Sequence, residues 1–514
     1  MGVKMKLSLL QKQVEIPIQN IPQSLPKTVQ SLCPECNASI SAVILEKNNK
    51  IWMEKECKEH GKFRDLIYSD AVLYKKIQSY TLEDMPLKNP KKFNNSCNLN
   101  CGICNQHKSF ACMTNIDLTN KCNLNCPICF ANANKRGYIY ELTLEQVRGC
   151  LENIKKTNYP QKTHTVQFSG GEPTIHPQFL EILKMAKDLG FIHIQIASNG
   201  IMIANSLDFA KKCKQNGLYT VYLQFDGTDD KLYKKTRGVP LFELKKKTIE
   251  NARIAGLRVV LVPTIVKTIN NNQIGNIFNF AVENSDVISG ISFQPVSFCG
   301  RIKEKQRLKQ RFTLSDLAIE LEKQTKIFSA YEDFYPLSIT QPFSKFYSLL
   351  KGHQTIHISC HPDCGIGTYV LVHKKTKEVI PITKILDVPK FMSELNELTE
   401  SKYDKKIKLL LILKFLYLIR KNLIEENLPK SLTAREILKE IFNSIKQSKI
   451  KTDYTLMIVA GMHFQDKYNF NLERVKRCVI HYAAPNGMIY PFCTYNSGPE
   501  YRELIEKQFS RKLK

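Results

Sequence analysis

Three cysteines in one short loop constrain this chain more than any other feature. Cys122, Cys126 and Cys129 are separated by three and two residues, and an apolar, strand-like run from Met113 to Leu118 directly precedes them. Three thiolates at these spacings can ligate three irons of a 4Fe–4S cube and leave the fourth iron open. Because an open iron can chelate a small molecule, the loop predicts a ligand-binding cluster. A structural zinc loop and a plain ferredoxin site are the alternatives.

A second motif follows further along the chain. The residues Val166 to Pro173 read Val-Gln-Phe-Ser-Gly-Gly-Glu-Pro, which predicts a strand ending in a Gly-Gly turn with one carboxylate. Glycine allows the backbone to approach a ligand closely, and a carboxylate suits an ammonium group. We therefore expect Gly170, Gly171 and Glu172 to contact a ligand.

The two motifs together resemble the radical S-adenosylmethionine (radical SAM) superfamily, in which the unligated iron binds the amino acid end of SAM. The resemblance implies that Cys122, Cys126 and Cys129 hold a catalytic 4Fe–4S cluster. It also implies that SAM is cleaved reductively to a 5′-deoxyadenosyl radical, for which we expect an electron donor of the ferredoxin or flavodoxin type.

The chain contains 17 cysteines. The segment from Met1 to Gln30 has no apolar run long enough for a secretory signal, so we expect intracellular metal thiolates rather than disulfides.

A first set of residues has the spacing of a tetrahedral mononuclear metal site, and both zinc and a rubredoxin-like iron are compatible with that geometry. Its fourth member is a histidine beside a glycine. The alternative is that this histidine is a turn residue and does not bind the metal. The set is Cys33, Cys36, Cys57 and His60.

Two further cysteine sets predict two auxiliary 4Fe–4S clusters. The second set repeats the spacing of the Cys122 loop and adds a fourth cysteine, which indicates a fully ligated cube for electron transfer or structure. It comprises Cys97, Cys101, Cys104 and Cys112. The third set lies near Gly and Pro turns. The alternative to a shared cluster is that the last two cysteines of this set are buried free thiols. It comprises Cys360, Cys364, Cys478 and Cys493.

Residues 113 to about 300 alternate short apolar strands with helical stretches, which implies parallel strands and crossover helices. Six units rather than eight predict an α/β fold, a partial (β/α)6 barrel with its functional groups at the C-terminal strand ends. Polar residues do fall at those ends, and among them we expect Ser198, Asn199 and Asp226 to contact the cofactor together with Glu172. The predicted strands are Met113–Thr119, Thr165–Gly170, His193–Ser198, Thr220–Asp226, Arg258–Val266 and Ile288–Phe298.

The predicted organisation has four parts: an extension (1–30), a metal- and cluster-binding segment (31–112), the partial barrel (113–300) and a helical or mixed auxiliary-cluster domain (301–514). Within the last part, residues 407–419 are nearly apolar all round but too short to span a bilayer. A buried core helix is one interpretation of this run. An interfacial helix or the wall of an apolar tunnel is the other.

Several motifs narrow the resemblance further. They include the Cys-x2-Cys and Cys-x2-His-Gly head, Leu223-Gln-Phe-Asp-Gly227, Phe293-Gln-Pro-Val-Ser297 and Cys364-Gly-Ile-Gly-Thr-Tyr369. These motifs resemble the archaeal tetraether lipid synthases, a group whose members are also described as radical SAM pterin methyltransferases. The resemblance implies C–C bond formation between terminal carbons of isoprenoid glycerol phospholipid chains, with the third cysteine set holding the first carbon. Methylation of a pterin-like ring is the alternative activity. A third possibility is a protein without enzymatic activity, a multi-cluster electron-transfer or nucleic-acid-binding protein.

The formal net charge of +27 indicates anionic partners such as phosphate-bearing lipid, a membrane surface or nucleic acid. Because no RNA-binding motif with interleaved aromatic residues is present, no nucleic acid partner is expected. We expect a cytoplasmic enzyme with peripheral contact at the inner face of the membrane.

Overall fold

The computed structural model describes residues 24–80, 84–85, 87, 90, 101–162, 164–400, 408–445, 452–498 and 500–512. Of the predicted N-terminal extension, only residues 24–30 fall within these ranges. Cys97 and Ile407 lie outside the described residues.

The N-terminal part is an antiparallel four-stranded sheet with the order β1-β2-β3-β4. Its register pairs Lys27 with Ile44 in the first hairpin and Cys57 with Gly61 in the last. The helix α1 follows, and Asp70 caps it by accepting a hydrogen bond from the backbone N–H of Leu73 at 2.8 Å. The elements are β1 (Lys27–Leu32), β2 (Ser39–Lys47), β3 (Lys50–Cys57), β4 (Gly61–Tyr68) and α1 (Ala71–Gln78).

The second sheet contains the six predicted barrel strands, side by side and parallel, in the order β5-β7-β8-β9-β10-β12. This order confirms the predicted α/β fold with a partial barrel core. The strands are β5 (Met113–Thr119), β6 (Tyr138–Tyr140), β7 (Thr165–Gly170), β8 (His193–Ser198), β9 (Thr220–Gln224), β10 (Arg258–Val262), β11 (Thr264–Ile265) and β12 (Ile288–Pro295).

The two faces of the barrel differ in chemistry, because alternate side chains of a strand point to opposite faces. The face under the helices is apolar and fully buried, as at Ile116, Phe168 and Leu223. The inner face is polar, as at Gln167 and Tyr222, which are only partly buried. Polar side chains that solvent reaches inside the barrel are available to a ligand.

Helices follow the barrel strands and cover the outer face. Two of them begin with a capping box, formed by Thr143 with Gln146 and by Thr313 with Asp316, which fixes where each helix starts. They are α2 (Leu144–Thr157), α3 (Phe179–Asp188), α4 (Ile201–Asn205), α5 (Leu207–Gln215), α6 (Asp230–Arg237), α7 (Phe242–Ala255), α8 (Ile274–Glu283), α9 (Arg307–Gln310) and α10 (Leu314–Thr325).

A separate apolar cluster joins several helices of the C-terminal part around Phe346, Phe391, Leu395 and Phe415. The apolar run noted in the sequence forms the helix from Lys408 onwards. Among the described residues, no helix has the length and apolar character needed to cross a membrane. The helices are α11 (Gln341–Lys351), α12 (Ile382–Ile385), α13 (Val388–Glu400), α14 (Lys408–Asn422) and α15 (Ala434–Ile445).

Strands from the segment after residue 300 extend the barrel sheet at both edges. At one edge β16 pairs in parallel with β12 and antiparallel with β14, and at the other β17 pairs in parallel with β5. The four-part domain division stays a prediction. The remaining elements are β13 (Tyr335–Pro336), β14 (Gly365–His373), β15 (Val379–Pro381), β16 (Tyr454–Met462), α16 (Leu472–Lys476), β17 (Ile480–Ala483), β18 (Ile489–Pro491), α17 (Phe492–Asn496), α18 (Tyr501–Gln508) and β19 (Ser510–Lys512).

Candidate active site

The three cysteines of the first motif lie in the loop that follows β5, at the C-terminal end of the barrel. The thiols of Cys122, Cys126 and Cys129 are close enough to interact electrostatically. Burial raises the pKa of Cys122 to about 12 and also raises that of Cys126. Metal binding must therefore displace protons from these thiols. Three converging thiols outside any disulfide are a donor set that fits a 4Fe–4S cluster.

The protein itself fixes the shape of this loop. The backbone N–H of Cys122 donates to Asn134 Oδ1 at 2.9 Å, and Asn134 Nδ2 donates to the carbonyl oxygens of Cys122 and Leu124 at 2.8 and 3.1 Å. Asn134 has a φ of 63°, in the left-handed region that asparagine tolerates. Two backbone hydrogen bonds of 3.1 and 2.8 Å tie Cys129 to Arg301. These bonds hold the cysteines in place through groups that are not metal ligands.

The Gly-Gly turn packs directly on the start of the cysteine loop. A Cβ atom at Gly170 would lie 2.2 Å from the carbonyl oxygen of Thr119, and one at Gly171 would lie 2.1 Å from that of Lys121. The N–H of Gly171 donates to Thr119 at 2.7 Å. The close approach expected from the glycines thus occurs against protein backbone. The expected contact of both glycines with SAM stays a prediction.

Glu172 is 1% exposed and links the ends of β7 and β8. Its Oε1 accepts hydrogen bonds from Thr174 Oγ1 at 2.6 Å and Ser198 Oγ at 2.8 Å, and its Oε2 accepts one from the N–H of Asn199 at 2.8 Å. Burial raises the pKa of Glu172, and these donors oppose the rise. The carboxylate therefore positions the turn at residues 198–199, whereas its expected contact with SAM stays a prediction.

The turn at residues 198–199 in turn contacts the cysteine loop. Asn199 Nδ2 lies 2.7 Å from Asn123 Oδ1 and 3.9 Å from Cys122 Sγ. Lys245 lies beneath it, fully buried, and its Nζ donates to the carbonyl oxygen of Asn199 at 2.5 Å and to Gln224 Oε1 at 2.9 Å. Burial lowers the pKa of Lys245 to about 7. Sequence reasoning missed this lysine, because it lies in a helix rich in exposed lysines.

Asp226 is fully buried and forms a bidentate ion pair with Arg237. The Nε–Oδ2 and Nη2–Oδ1 distances are 2.6 and 2.9 Å. Burial favours a higher pKa for Asp226, but the adjacent guanidinium outweighs it and lowers the pKa. Arg237 Nη1 also donates to the carbonyl oxygen of Ile128 at 3.0 Å, inside the cysteine loop. Asp226 thus positions Arg237, which in turn donates a hydrogen bond to the cysteine loop. The expected contact of Asp226 with SAM stays a prediction.

The inner face of the barrel carries linked amide and hydroxyl groups. Gln167 donates to Asn115 at 2.7 Å and Gln195 donates to Gln167 at 2.5 Å, while Tyr222 donates to Ser292 at 2.6 Å. The Nδ2 of Asn115 is buried without a hydrogen-bond partner of its own. A ligand with donors and acceptors along its edges suits such a lining.

The C-terminal helix closes the side of the barrel beside β5. Arg502 of α18 pairs with Asp117, which also accepts a hydrogen bond from Ser169 Oγ at 2.7 Å. Arg502 Nη2 donates to Tyr482 Oη at 3.2 Å. All of these groups are buried. The segment that follows the barrel in sequence therefore completes its wall.

The first cysteine set forms a compact group at the tips of two hairpins. His60 Nδ1 lies 3.5 Å from Cys57 Sγ and 3.7 Å from Cys33 Sγ, and the Sγ atoms of Cys36 and Cys57 are 4.0 Å apart. All four ligand atoms lie within 4.8 Å of one another. The hydrogen bond with His60 lowers the pKa of Cys57 to about 6. The arrangement suits one tetrahedral ion.

The third cysteine set is brought together from distant parts of the chain. Cys360 interacts electrostatically with Cys364 and Cys478, and Cys478 does so with Cys493. Burial raises the pKa of all four thiols. A cube holds its thiolates further apart than a single ion does, because each binds a different iron. Arg474, also buried, acts against the rise in the pKa of Cys364 through its charge and a hydrogen bond. A cluster here stays a prediction.

The second cysteine set is described only in part, since Cys97 lies outside the described residues. Cys101 and Cys104 interact electrostatically. Cys112, by contrast, lies beside Cys360 of the third set, and its thiol donates to the carbonyl oxygen of His357 at 2.8 Å. The proposed ligand role of Cys112 in the second set stays a prediction.

Two family models match the chain. The Radical SAM superfamily model matches residues 116–281, and the HMPTM N-terminal zinc ribbon domain model matches residues 25–69. The 7,8-dihydro-6-hydroxymethylpterin dimethyltransferase of Methanocaldococcus jannaschii is 42% identical over 491 residues, which are 95% of this chain and 96% of that protein. This chain belongs to the family of that enzyme. It is a radical SAM enzyme.

Two other similar proteins are more distant. The Fe-coproporphyrin III synthase of Methanosarcina barkeri is 29% identical over 49% of this chain and 57% of that protein. The solved structure of Streptococcus suis SuiB bound to precursor peptide SuiA covers 65% of this chain and 73% of that chain, with 16% identity and a TM-score of 0.36. Structural similarity with so low a TM-score carries no information about the function of this chain.

Replacing Cys33 and Cys36 in this radical SAM enzyme tests the proposed mononuclear metal site. We expect the double variant Cys33→Ala/Cys36→Ala to lose a single metal ion per chain and to become less stable in its N-terminal sheet, because metal binding contributes folding free energy. SAM cleavage should continue. Elemental analysis and a deoxyadenosine assay measure both effects. The buried pair Cys150→Ala/Cys213→Ala should keep its metal, and an unchanged metal content in the ribbon variant would contradict the site.

Glu172→Gln tests the positioning carboxylate. The amide NH2 must face at least one of the donors that now point at the carboxylate, which costs about 1–3 kcal/mol of unfolding free energy. SAM affinity should fall as well, because the turn at residues 198–199 loses its anchor. Denaturant unfolding and calorimetric titration with SAM measure the two effects. The exposed Glu181→Gln is the matched control. If both variants behave like the parent, Glu172 has neither role.

Proposed function

We propose that this radical SAM enzyme transfers methyl groups to a pterin-like ring. The observation that carries the proposal is the 42% identity, over nearly the full length of both chains, to the M. jannaschii pterin dimethyltransferase. Of the activities considered from the sequence, this identity favours the methyltransferase over lipid coupling.

The lining of the barrel supports the same choice. A pterin is a compact, flat heterocycle with hydrogen-bond donors and acceptors on its edges, and amide side chains can pair with both kinds of group. Gln167, Asn115 and Tyr222 present such groups on the inner face. An alkyl chain gains from burial against apolar side chains instead, about 0.8 kcal/mol for each methylene.

SAM and the 4Fe–4S cluster held by Cys122, Cys126 and Cys129 are the cofactors of the proposed reaction. When bound, the cluster supplies the electron that cleaves SAM to a 5′-deoxyadenosyl radical. The residues of this chain provide the geometry: Asn134, Arg237 and Arg301 fix the loop. The two auxiliary clusters, the ferredoxin- or flavodoxin-type electron donor and the choice of zinc or iron in the ribbon belong to this proposal.

An anaerobic assay with a reductant, 7,8-dihydro-6-hydroxymethylpterin and excess SAM tests the proposal. Reductive cleavage leaves the methyl group of SAM on methionine, so the assay also needs a separate one-carbon donor, either a second SAM molecule or a reduced pterin that carries a one-carbon unit. Mass spectrometry should show the pterin gaining one or two CH2 units, since each methyl group replaces a hydrogen atom, and Cys126→Ala should give no such product. Gln167→Leu should keep substrate-independent SAM cleavage and lose pterin methylation. If deoxyadenosine forms but the pterin stays unchanged while isoprenoid glycerol lipids become coupled, the lipid activity is the correct one.

A further inference from the structure

One side of the helix α7 carries a row of buried polar side chains. Lys245, Thr248 and Asn251 recur every three residues and are at most 8% exposed. Residues at this spacing lie near one another on a helix, on a side that packs against the protein and would usually be apolar. Because burying a polar side chain costs free energy unless it is hydrogen-bonded, the partners of these three side chains indicate what the row does.

All three side chains donate to backbone carbonyl oxygens of one short segment, residues 199–204, which follows β8. We call Lys245, Thr248 and Asn251 the α7 row. The row fixes this segment from its first residue, beside the cysteine loop, to the end of the short helix α4. The accepting carbonyl oxygens are those of Asn199 at 2.5 Å from Lys245 Nζ, Gly200 at 3.1 Å from Thr248 Oγ1, and Ile203 and Ala204 at 2.8 and 3.1 Å from Asn251 Nδ2.

Lys245 also joins the ends of two neighbouring barrel strands. Its Nζ donates to Gln224 Oε1 at 2.9 Å as well as to the carbonyl oxygen of Asn199. The two acceptors directly follow Ser198 and Leu223, the last residues that pair between β8 and β9. One amino group therefore links the C-terminal ends of both strands, at the edge of the barrel that carries the cysteine loop.

Lys245 has no direct counter-ion among the described residues. The acidic side chains whose charges act on it are Asp226 and Glu172. Asp226 is paired with Arg237, and Glu172 accepts its hydrogen bonds from other groups. Burial lowers the pKa of Lys245 to about 7, as expected of an ammonium group that no adjacent carboxylate compensates. An apolar side chain would avoid the cost of burying a charge, so folding stability alone gives no reason for a lysine here.

We propose that Lys245 is a positioning residue for SAM and acts through the turn at residues 198–199. Lys245 binds the carbonyl oxygen of Asn199, and Glu172 accepts from its N–H at 2.8 Å, so the backbone is fixed on both sides of the Asn199 Cα atom. The side chain of Asn199 then reaches the cysteine loop, where its Nδ2 donates to Asn123 Oδ1 at 2.7 Å. This inference rests on the SAM site of the proposed function but not on the pterin.

Calorimetric titration with SAM tests the inference on the full-length protein with its cluster reconstituted. Without a reductant SAM is not cleaved, so the titration measures binding alone. Lys245→Met keeps the length of the side chain and removes its donors. Its dissociation constant for SAM should rise about tenfold or more, the loss expected for one charge-assisted hydrogen bond, while its iron content stays parental. Lys245→Gln keeps an uncharged donor and should bind SAM with an intermediate affinity.

Two control variants separate positioning from a general loss of stability. Asn251→Leu breaks the α7 row at the end that is remote from the cysteine loop. It should lower the denaturation midpoint but keep the parental affinity for SAM. The exposed Lys247→Met lies on the same helix and should change neither quantity.

A double-mutant cycle tests whether Lys245 acts through Asn199. In the Asn199→Ala background, Lys245→Met should raise the dissociation constant much less than it does in the parent. Equal rises in the two backgrounds would overturn the inference. So would parental SAM affinity in both Lys245 variants, or an Asn251→Leu protein that binds SAM as weakly as Lys245→Met does. A parent protein that bound no SAM would instead overturn the proposed SAM site, and this inference with it.

Discussion

Replacing Cys126 by alanine should abolish deoxyadenosine formation. In the proposed SAM-binding cluster the variant leaves one iron without a thiolate, and no other cysteine of the loop can replace it because hydrogen bonds to Asn134 and Arg301 fix the loop. Iron content and an anaerobic assay for deoxyadenosine measure the effect. The zinc ribbon should stay loaded.

The buried Cys213→Ala is the matched control for this variant. It removes a thiol from α5, in the protein core, and should cleave SAM at the parental rate. If Cys126→Ala still cleaved SAM, the catalytic cluster would have to lie at another cysteine set.

Arg237→Met should cost about 3–5 kcal/mol of unfolding free energy. Removing one partner of a buried ion pair leaves the other charge without compensation, and Asp226 is fully buried. The same change removes the hydrogen bond to the carbonyl oxygen of Ile128, so SAM cleavage should fall along with stability. Guanidinium unfolding followed by circular dichroism measures the first effect.

An exposed arginine provides the control. Arg253 pairs with Asp286 at 2.6 Å, but the two side chains are 32% and 52% exposed. Exposed pairs contribute at most about 1 kcal/mol, so Arg253→Met should unfold nearly like the parent. If both variants lost the same unfolding free energy, burial of the Asp226–Arg237 pair would make no extra contribution to stability.

Local patterns in the sequence predicted much of the fold. Strand alternation placed β5, β7 and β8 at the bounds that the structure has, and the turn after β7 was recognised from its glycines. The spacing of Cys33, Cys36, Cys57 and His60 predicted a group that the structure brings within 4.8 Å. These features depend on residues that are close in sequence, where periodicity and spacing are informative.

Features that depend on distant residues were missed. Arg237, Lys245 and Arg502 lie in polar helices, and only the path of the chain in three dimensions buries them. The pairing of β16 and β17 with the barrel strands joins segments far apart and leaves no local sign. The sequence left two interpretations of the apolar run at residues 407–419, a buried core helix or an interfacial helix or tunnel wall, and one face of the helix from Lys408 onwards packs in the C-terminal helical cluster.

The pairing of β17 with β5 has a consequence for biosynthesis. Ile480 lies opposite Met113, so β5, the strand that leads into the Cys122 loop, has one unpaired edge until the ribosome has made residues 480–482. Unpaired strand edges are prone to intermolecular pairing while a chain is still incomplete. The nascent barrel therefore depends on β17 for protection, and a chain truncated before residue 480 should aggregate even though it contains every barrel strand that the sequence predicted.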